Sequence, residues 1–155
     1  MADFVYNTAA VEMWSDVVDL LNDTIKAMLC TSSYVANRDD DVVDAAGADD
    51  PVDHELSGTG YAAGWGGSGR KTLASKTITV DKANDRAEFD CADLQWASIN
   101  AGTAAQMLII KEGVADDTTS RLIAHIDTGG FPVVTNGGNL NVTINAEGLI
   151  QLRTV

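Results

Sequence analysis

The sequence predicts a mainly β protein, an antiparallel β-sandwich or jelly-roll-like barrel with one N-terminal α-helix. Three observations lead there. Residues 139–145, NLNVTIN, alternate without a break, so Leu140, Val142 and Ile144 share one face and the asparagines and Thr143 share the other. Gly129-Gly130 and Asn136-Gly137-Gly138 precede that strand, and such steps supply the positive φ that tight strand connections need. From residue 70 onward, short alternating segments separated by polar turns recur roughly every 8–12 residues, the spacing of a sandwich or barrel.

A chain of 155 residues is expected to form a single domain, 1–155, large enough for a core without disulfide staples. Ten basic residues stand against twenty-three acidic ones, a formal charge of −13. That balance argues against a nucleic-acid partner, because phosphate backbones are bound by Lys and Arg, and against an anionic membrane surface. No apolar run approaches the ~20 residues that span a bilayer. The start, MADFVYNTAAVEMW, lacks the basic and apolar regions of a secretion signal, so synthesis in the cytoplasm is expected. Cys30 and Cys91 are far apart and read as buried small hydrophobes rather than a disulfide.

Residues 8–22, TAAVEMWSDVVDLLN, carry the helix signal. Val11, Trp14, Val17, Val18 and Leu21 recur at steps of three and four and form one apolar stripe, with Glu12, Ser15, Asp16 and Asp19 off it. Thr8 is a candidate cap. The stripe packs either on the chain's own sheet or on a neighbouring subunit. Residues 24–33 change to a strand period, with Ile25, Ala27 and Leu29 on one side. Residues 36–57 crowd Asp39, Asp40, Asp41, Asp44, Asp49, Asp50, Asp53 and Glu55 together, with Gly47 and Pro51 breaking any regular element, a long solvated loop with one helical turn expected over 41–46. Residues 58–69 form a glycine-rich loop with Tyr61 and Trp65 embedded. The β core is then 24–33 and 70–155: Ile78 and Val80 inward, Ala87 and Phe89 inward, Leu94 and Trp96, and the buried run 107–110.

Chemistry-bearing patterns are scarce. An EF-hand starting at Asp39 would need glycine at its sixth position and glutamate at its twelfth, and Asp44 and Asp50 stand there. The glycine-rich loop lacks the spacing of a phosphate cradle. His125 lies two residues before Asp127 on one strand face, which would let a carboxylate orient an imidazole, but no nucleophile stands beside the pair. The histidine therefore reads as structural. No catalytic residue, cofactor or metal is expected.

The order of segments resembles small structural proteins of tailed bacteriophages. The pieces that carry it are FVYN at 4–7, KAMLCTSSY at 26–34, Asp39-Asp40-Asp41 with Val43-Asp44, and HELSGTGY at 54–61. RKTL at 70–73, NDRAEFD at 84–90, LIAHID at 122–127 and NAEGLI at 145–150 complete it over nearly the whole chain. The inserted Ala62-Ala63-Gly64-Trp65-Gly66-Gly67-Ser68-Gly69 and the acidic helix depart from the family pattern. Within that group the chain is similar to capsid cement, or decoration, proteins. The resemblance implies a non-enzymatic role on the outer surface of the head shell, in the virion. It implies the major capsid protein as partner and a homo-oligomer such as a trimer. Tyr6, Trp14, Tyr61 and Trp65 are the expected subunit or capsid contacts, since aromatic residues carry interface energy disproportionately. Three other readings stay open: another virion part (tail, neck or fibre base), a carbohydrate-binding β-sandwich module stacking sugars on Trp65 and Tyr61 with calcium in the acidic loop, and an enzyme centred on His125 and Asp127.

Overall fold

The computed structural model describes residues 3–47 and 49–153. In chain order they form β1 (Phe4–Val5), α1 (Asn7–Trp14), β2 (Ile25–Cys30), β3 (Lys71–Thr72), β4 (Thr77–Asp81), β5 (Arg86–Asp90), β6 (Leu94–Trp96) and β7 (Thr103–Ala104). They continue with β8 (Gln106–Lys111), β9 (Arg121–Ile126), β10 (Val133–Val134), β11 (Leu140–Val142) and β12 (Ile150–Arg153). A five-stranded sheet runs β1-β9-β8-β2-β3, a three-stranded one β12-β5-β4, and β10-β7 and β11-β6 are two-stranded ribbons. Every pairing is antiparallel. The fold is mainly β, of sandwich type, with a single α-helix among the described residues, near the N-terminus. No helix among the described residues is long and apolar enough to cross a membrane.

The core sits on β2, β8 and β9. Each has a central run of residues buried on both faces, as a strand must when layers cover it above and below. Ile25, Met28, Leu29, Leu108, Ile109, Ile110, Leu122 and Ile123 are wholly enclosed. Cys30 and Cys91 are buried free thiols. The loop at 36–57 is not merely solvated. Its Ala36, Val43 and Leu56 enter the core, as does Tyr34 just before it, and the Val43 N–H donates to the Ser120 carbonyl at 2.9 Å. The helical turn expected over 41–46 lies instead at Pro51–His54, a 3-10 turn whose proline stands where no N–H is needed.

The helix is shorter than 8–22 and turned the other way. It starts after Tyr6, so Thr8 is not its cap. It stops at Trp14 because Asp16 takes the left-handed conformation (φ 61°) and the Val17 N–H reaches back to the Glu12 carbonyl at 3.0 Å. Its buried residues are Ala9 and Glu12. The alanine allows close approach to β9, and Glu12 lies 3.5 Å from the Arg121 guanidinium of that strand. Val18, beyond the turn, drops into the core, while Val11, Trp14, Val17 and Leu21 stay outside. Ile78 and Val80, expected inward, are also exposed.

The strand expected at 139–145 is realised as β11 over three residues. Beyond it the chain turns at Asn145, whose carbonyl accepts from the Gly148 N–H. Gly137 has the positive φ (90°) expected of the Asn-Gly step.

Candidate functional site

The four aromatic residues expected at contacts divide into two pairs. Tyr6 and Tyr61 are enclosed by their own chain. The Tyr6 hydroxyl meets that of Tyr34 at 3.0 Å, and Tyr34 in turn donates to Asp40 at 3.0 Å. Tyr61 donates to Glu55 Oε1 at 3.0 Å. Neither ring can serve a partner in this conformation, and a sugar-stacking platform of Tyr61 with Trp65 is not formed. Trp14 and Trp65 face outward, at 80% and 44% exposure. Trp65 is pinned by donation from its Nε1 to the Gly113 carbonyl at 2.9 Å, whereas Trp14 stands clear on α1 beside Val11, one turn away.

The surface carrying Trp65 is braced from beneath by a buried ionic cluster. Arg70 donates from Nε and Nη2 to Glu55 at 2.9 and 2.7 Å, and from Nη1 and Nη2 to Asp117 at 2.6 and 2.9 Å. Both forks are bidentate, the geometry a guanidinium offers a carboxylate. Glu55 also accepts from the Gly64 N–H at 2.8 Å. One arginine thus ties together the acidic segment, the glycine-rich segment and the 112–120 turn. Burial acts to lower the Arg70 pKa, but the two carboxylates outweigh it and hold the pKa above the ordinary value. No spacing rule in the sequence joins residues 55, 70 and 117, so the cluster was invisible there. The one available signal was the scarcity of arginine in an acidic chain.

His125 is a core residue. Gln106 donates both amide protons, to the Thr31 and Tyr34 carbonyls at 2.8 and 2.9 Å. Its Oε1 must therefore accept from His125 Nε2 at 2.6 Å, which leaves Nδ1 the bare nitrogen of a neutral ring. The imidazole stacks on Phe4 at 4.9 Å, and the Arg38 guanidinium lies 4.4 Å from the centre of that phenyl ring. Burial holds the His125 pKa below the usual imidazole range, against the opposing charges of Asp127 and Asp3. Gln106, not Asp127, orients the ring.

Carboxylate oxygens of Asp81, Glu88 and Glu147 lie within 4.8 Å of one another, close enough for a divalent cation. Arg86 already supplies the positive charge: it pairs with Asp81 at 3.2 Å, with Glu88 at 2.7 Å and with Glu147. A cleft of about 500 Å³ lies between Val5, Ala124 and Ile126 on one side and Val142, Ile144 and Leu149 on the other. Polar and aliphatic side chains share its walls: Asp3 and His125 both line it, Asp3 accepting from the Asp127 and Thr128 N–H groups at 2.9 and 3.2 Å and His125 bonded through Nε2 to Gln106.

Comparison with protein-family models, with curated proteins and with solved structures finds no match to this chain.

Proposed function

We propose that this chain is a non-enzymatic capsid cement, or decoration, protein of a tailed bacteriophage, bound to the outer surface of the head shell and stabilising it. The observation that carries the reading is that four apolar residues close in sequence, Val11, Trp14, Val17 and Leu21, are each left exposed on a body of charge −13. Exposed apolar groups of this kind on an otherwise polar surface mark contacts with other proteins. A tryptophan is the side chain that contributes most when such a contact closes. The negative charge suits the outside of a shell and disfavours contact with packaged DNA. Many identical copies summing modest contacts on a lattice need no deep pocket. The family resemblance of the sequence points the same way, with the major capsid protein as partner.

The test is DNA retention by heads with and without the protein during heating. Decorated heads should hold their DNA to higher temperature, and adding back purified protein should restore the difference. Equal retention by bare shells sinks the reading. Labelling on intact particles separates a head-wide coat from a single site at the tail.

A further inference from the structure

The sheet β12-β5-β4 has one polar and one apolar face. Register places Ile78, Phe89 and Ile150 in one row and Val80, Ala87 and Leu152 in the next, all on the same side. The first row leads into the core, where Phe89 is buried. The second row runs out of it: Val80 is 70% exposed and Leu152 56%, and Ile78 at the end of the first row is 50% exposed. The opposite face carries Thr77, Thr79, Asp81, Glu88 and Arg86, the last three already paired among themselves. β4 is also an edge strand. Among the described residues it pairs with β5 alone, in unbroken register, and its first four residues are all exposed. No proline or bulge blunts that edge, the usual protection against strand addition.

From this edge we infer that β4 is a self-association surface, pairing antiparallel with β4 of a second copy about a two-fold axis at Thr79. Charge selects the occupant. Residues 76–90 and 147–153 hold four basic residues (Lys76, Lys82, Arg86, Arg153) and five acidic ones (Asp81, Asp85, Glu88, Asp90, Glu147). This region thus carries one of the thirteen net negative charges, and the remainder of the chain carries the others. Two copies repel each other over most of their surface and least here. An antiparallel pairing centred on Thr79 sets Ile78 opposite the partner's Val80 twice over, as an isologous contact requires. Lys76, which would otherwise meet the partner's Lys82, is drawn back to the Asp23 carbonyl. The two apolar rows then continue across a six-stranded sheet. A two-fold contact of this kind closes as a dimer, not a trimer.

The inference concerns contact between copies of the chain, whereas the proposed function concerns contact with the shell, and the two fail separately. Sedimentation of the purified full chain should give twice the chain mass. Ile78→Lys with Val80→Lys should halve that mass while leaving the far-ultraviolet circular dichroism unchanged. As a second arm, Thr79→Cys should form an interchain disulfide on mild oxidation, since Cys30 and Cys91 are buried. A monomeric wild type, an oligomer that survives the two lysines, or a Thr79→Cys chain that does not cross-link overturns the inference. A monomer that still decorates shells removes the inference and leaves the cement reading. A β4-paired dimer with no affinity for shells does the reverse.

Discussion

The backbone N–H of Leu29 donates to the phenolic oxygen of Tyr61 at 2.9 Å. β3 pairs with β2 only at Lys26 and Ala27, so from Leu29 onward β2 would be an open edge. Tyr61 fills that edge with a side chain, the Leu56 N–H donates to the Leu29 carbonyl at 2.8 Å, and Glu55 bridges to Cys30. A loop has taken over the work of a strand. Tyr61→Phe would leave the Leu29 N–H buried without an acceptor and remove a donor from Glu55. We expect a loss of about 1–3 kcal/mol in urea unfolding, with the fold retained.

Arg70 is predicted to be the most sensitive charged residue. Arg70→Met leaves Glu55 and Asp117 enclosed without their counter-charge, at an expected cost of about 3–5 kcal/mol. Replacing all three by apolar residues of similar size should recover much of that loss. Urea midpoints for the single and triple variants check it, and a triple variant worse than the single would contradict the account.

Gly60 and Gly66 form a matched pair. Both have positive φ, 77° and 73°. A Cβ on Gly60 would lie 2.7 Å from the Ser98 carbonyl oxygen and 2.9 Å from Ile99 Cα, whereas one on Gly66 meets nothing within 4 Å. Gly66→Ala should cost only backbone strain, on the order of 1 kcal/mol. Gly60→Ala should cost clearly more, and equal thermal midpoints for the two would refute the difference.

Stability should decline at both ends of the pH range, for opposite reasons. His125 is held neutral, so its contribution is complete above the unfolded imidazole value of ~6.5 and is lost as pH falls through the lower folded value. His125→Phe should flatten the slope just below ~6.5 whatever its overall cost. At the alkaline end, burial raises the pKa of Tyr6, Tyr34, Tyr61 and Cys30 and pushes Cys91 up to about 11. Groups raised in this way stabilise fully below their unfolded values, ~8.5 for thiols and ~10 for phenols, and lose that contribution as pH rises beyond them. Urea titrations at stepped pH check both arms.

Trp14 separates surface from core. Trp14→Ser removes a side chain that the fold leaves outside, so unfolding should shift by no more than about 0.5 kcal/mol. Occupancy on shells should fall at least tenfold if the exposed apolar group is the contact. Unchanged occupancy would move the contact elsewhere.

Where a run was apolar on both faces, the sequence reading and the structure agree closely. The run 107–110 is the centre of β8 and is buried throughout. Where the reading depended on choosing a face, the outcome divides: Phe89 on β5 and Leu140 and Val142 on β11 lie toward the core as expected, whereas the helix stripe and β4 do not. Of the stripe from Val11 to Leu21, Val11 and Trp14 lie on the helix but outside the core, Val17 and Leu21 lie exposed beyond its end, and Val18 alone is buried. A short side chain at Ala9 and a charge pair at Glu12 outweigh the hydrophobic preference of the stripe. Ile78 and Val80 alternate correctly and still meet no layer. Of the four candidate contact residues, Tyr6 and Tyr61 were lost to the core because a phenol can bury its ring and satisfy its hydroxyl inside.

By itself the sequence determined the class: periods of two and of three to four, glycine at the turns, and an acidic charge balance are local or additive properties. The tertiary structure alone decided which faces are covered and which charges are buried. Residues 55, 70 and 117 meet only after three loops have folded over one sheet edge, and Arg86 gathers Asp81, Glu88 and Glu147 only once β12 lies beside β5. Burial depends on what lies opposite a residue in space, and no pattern along the chain contains that.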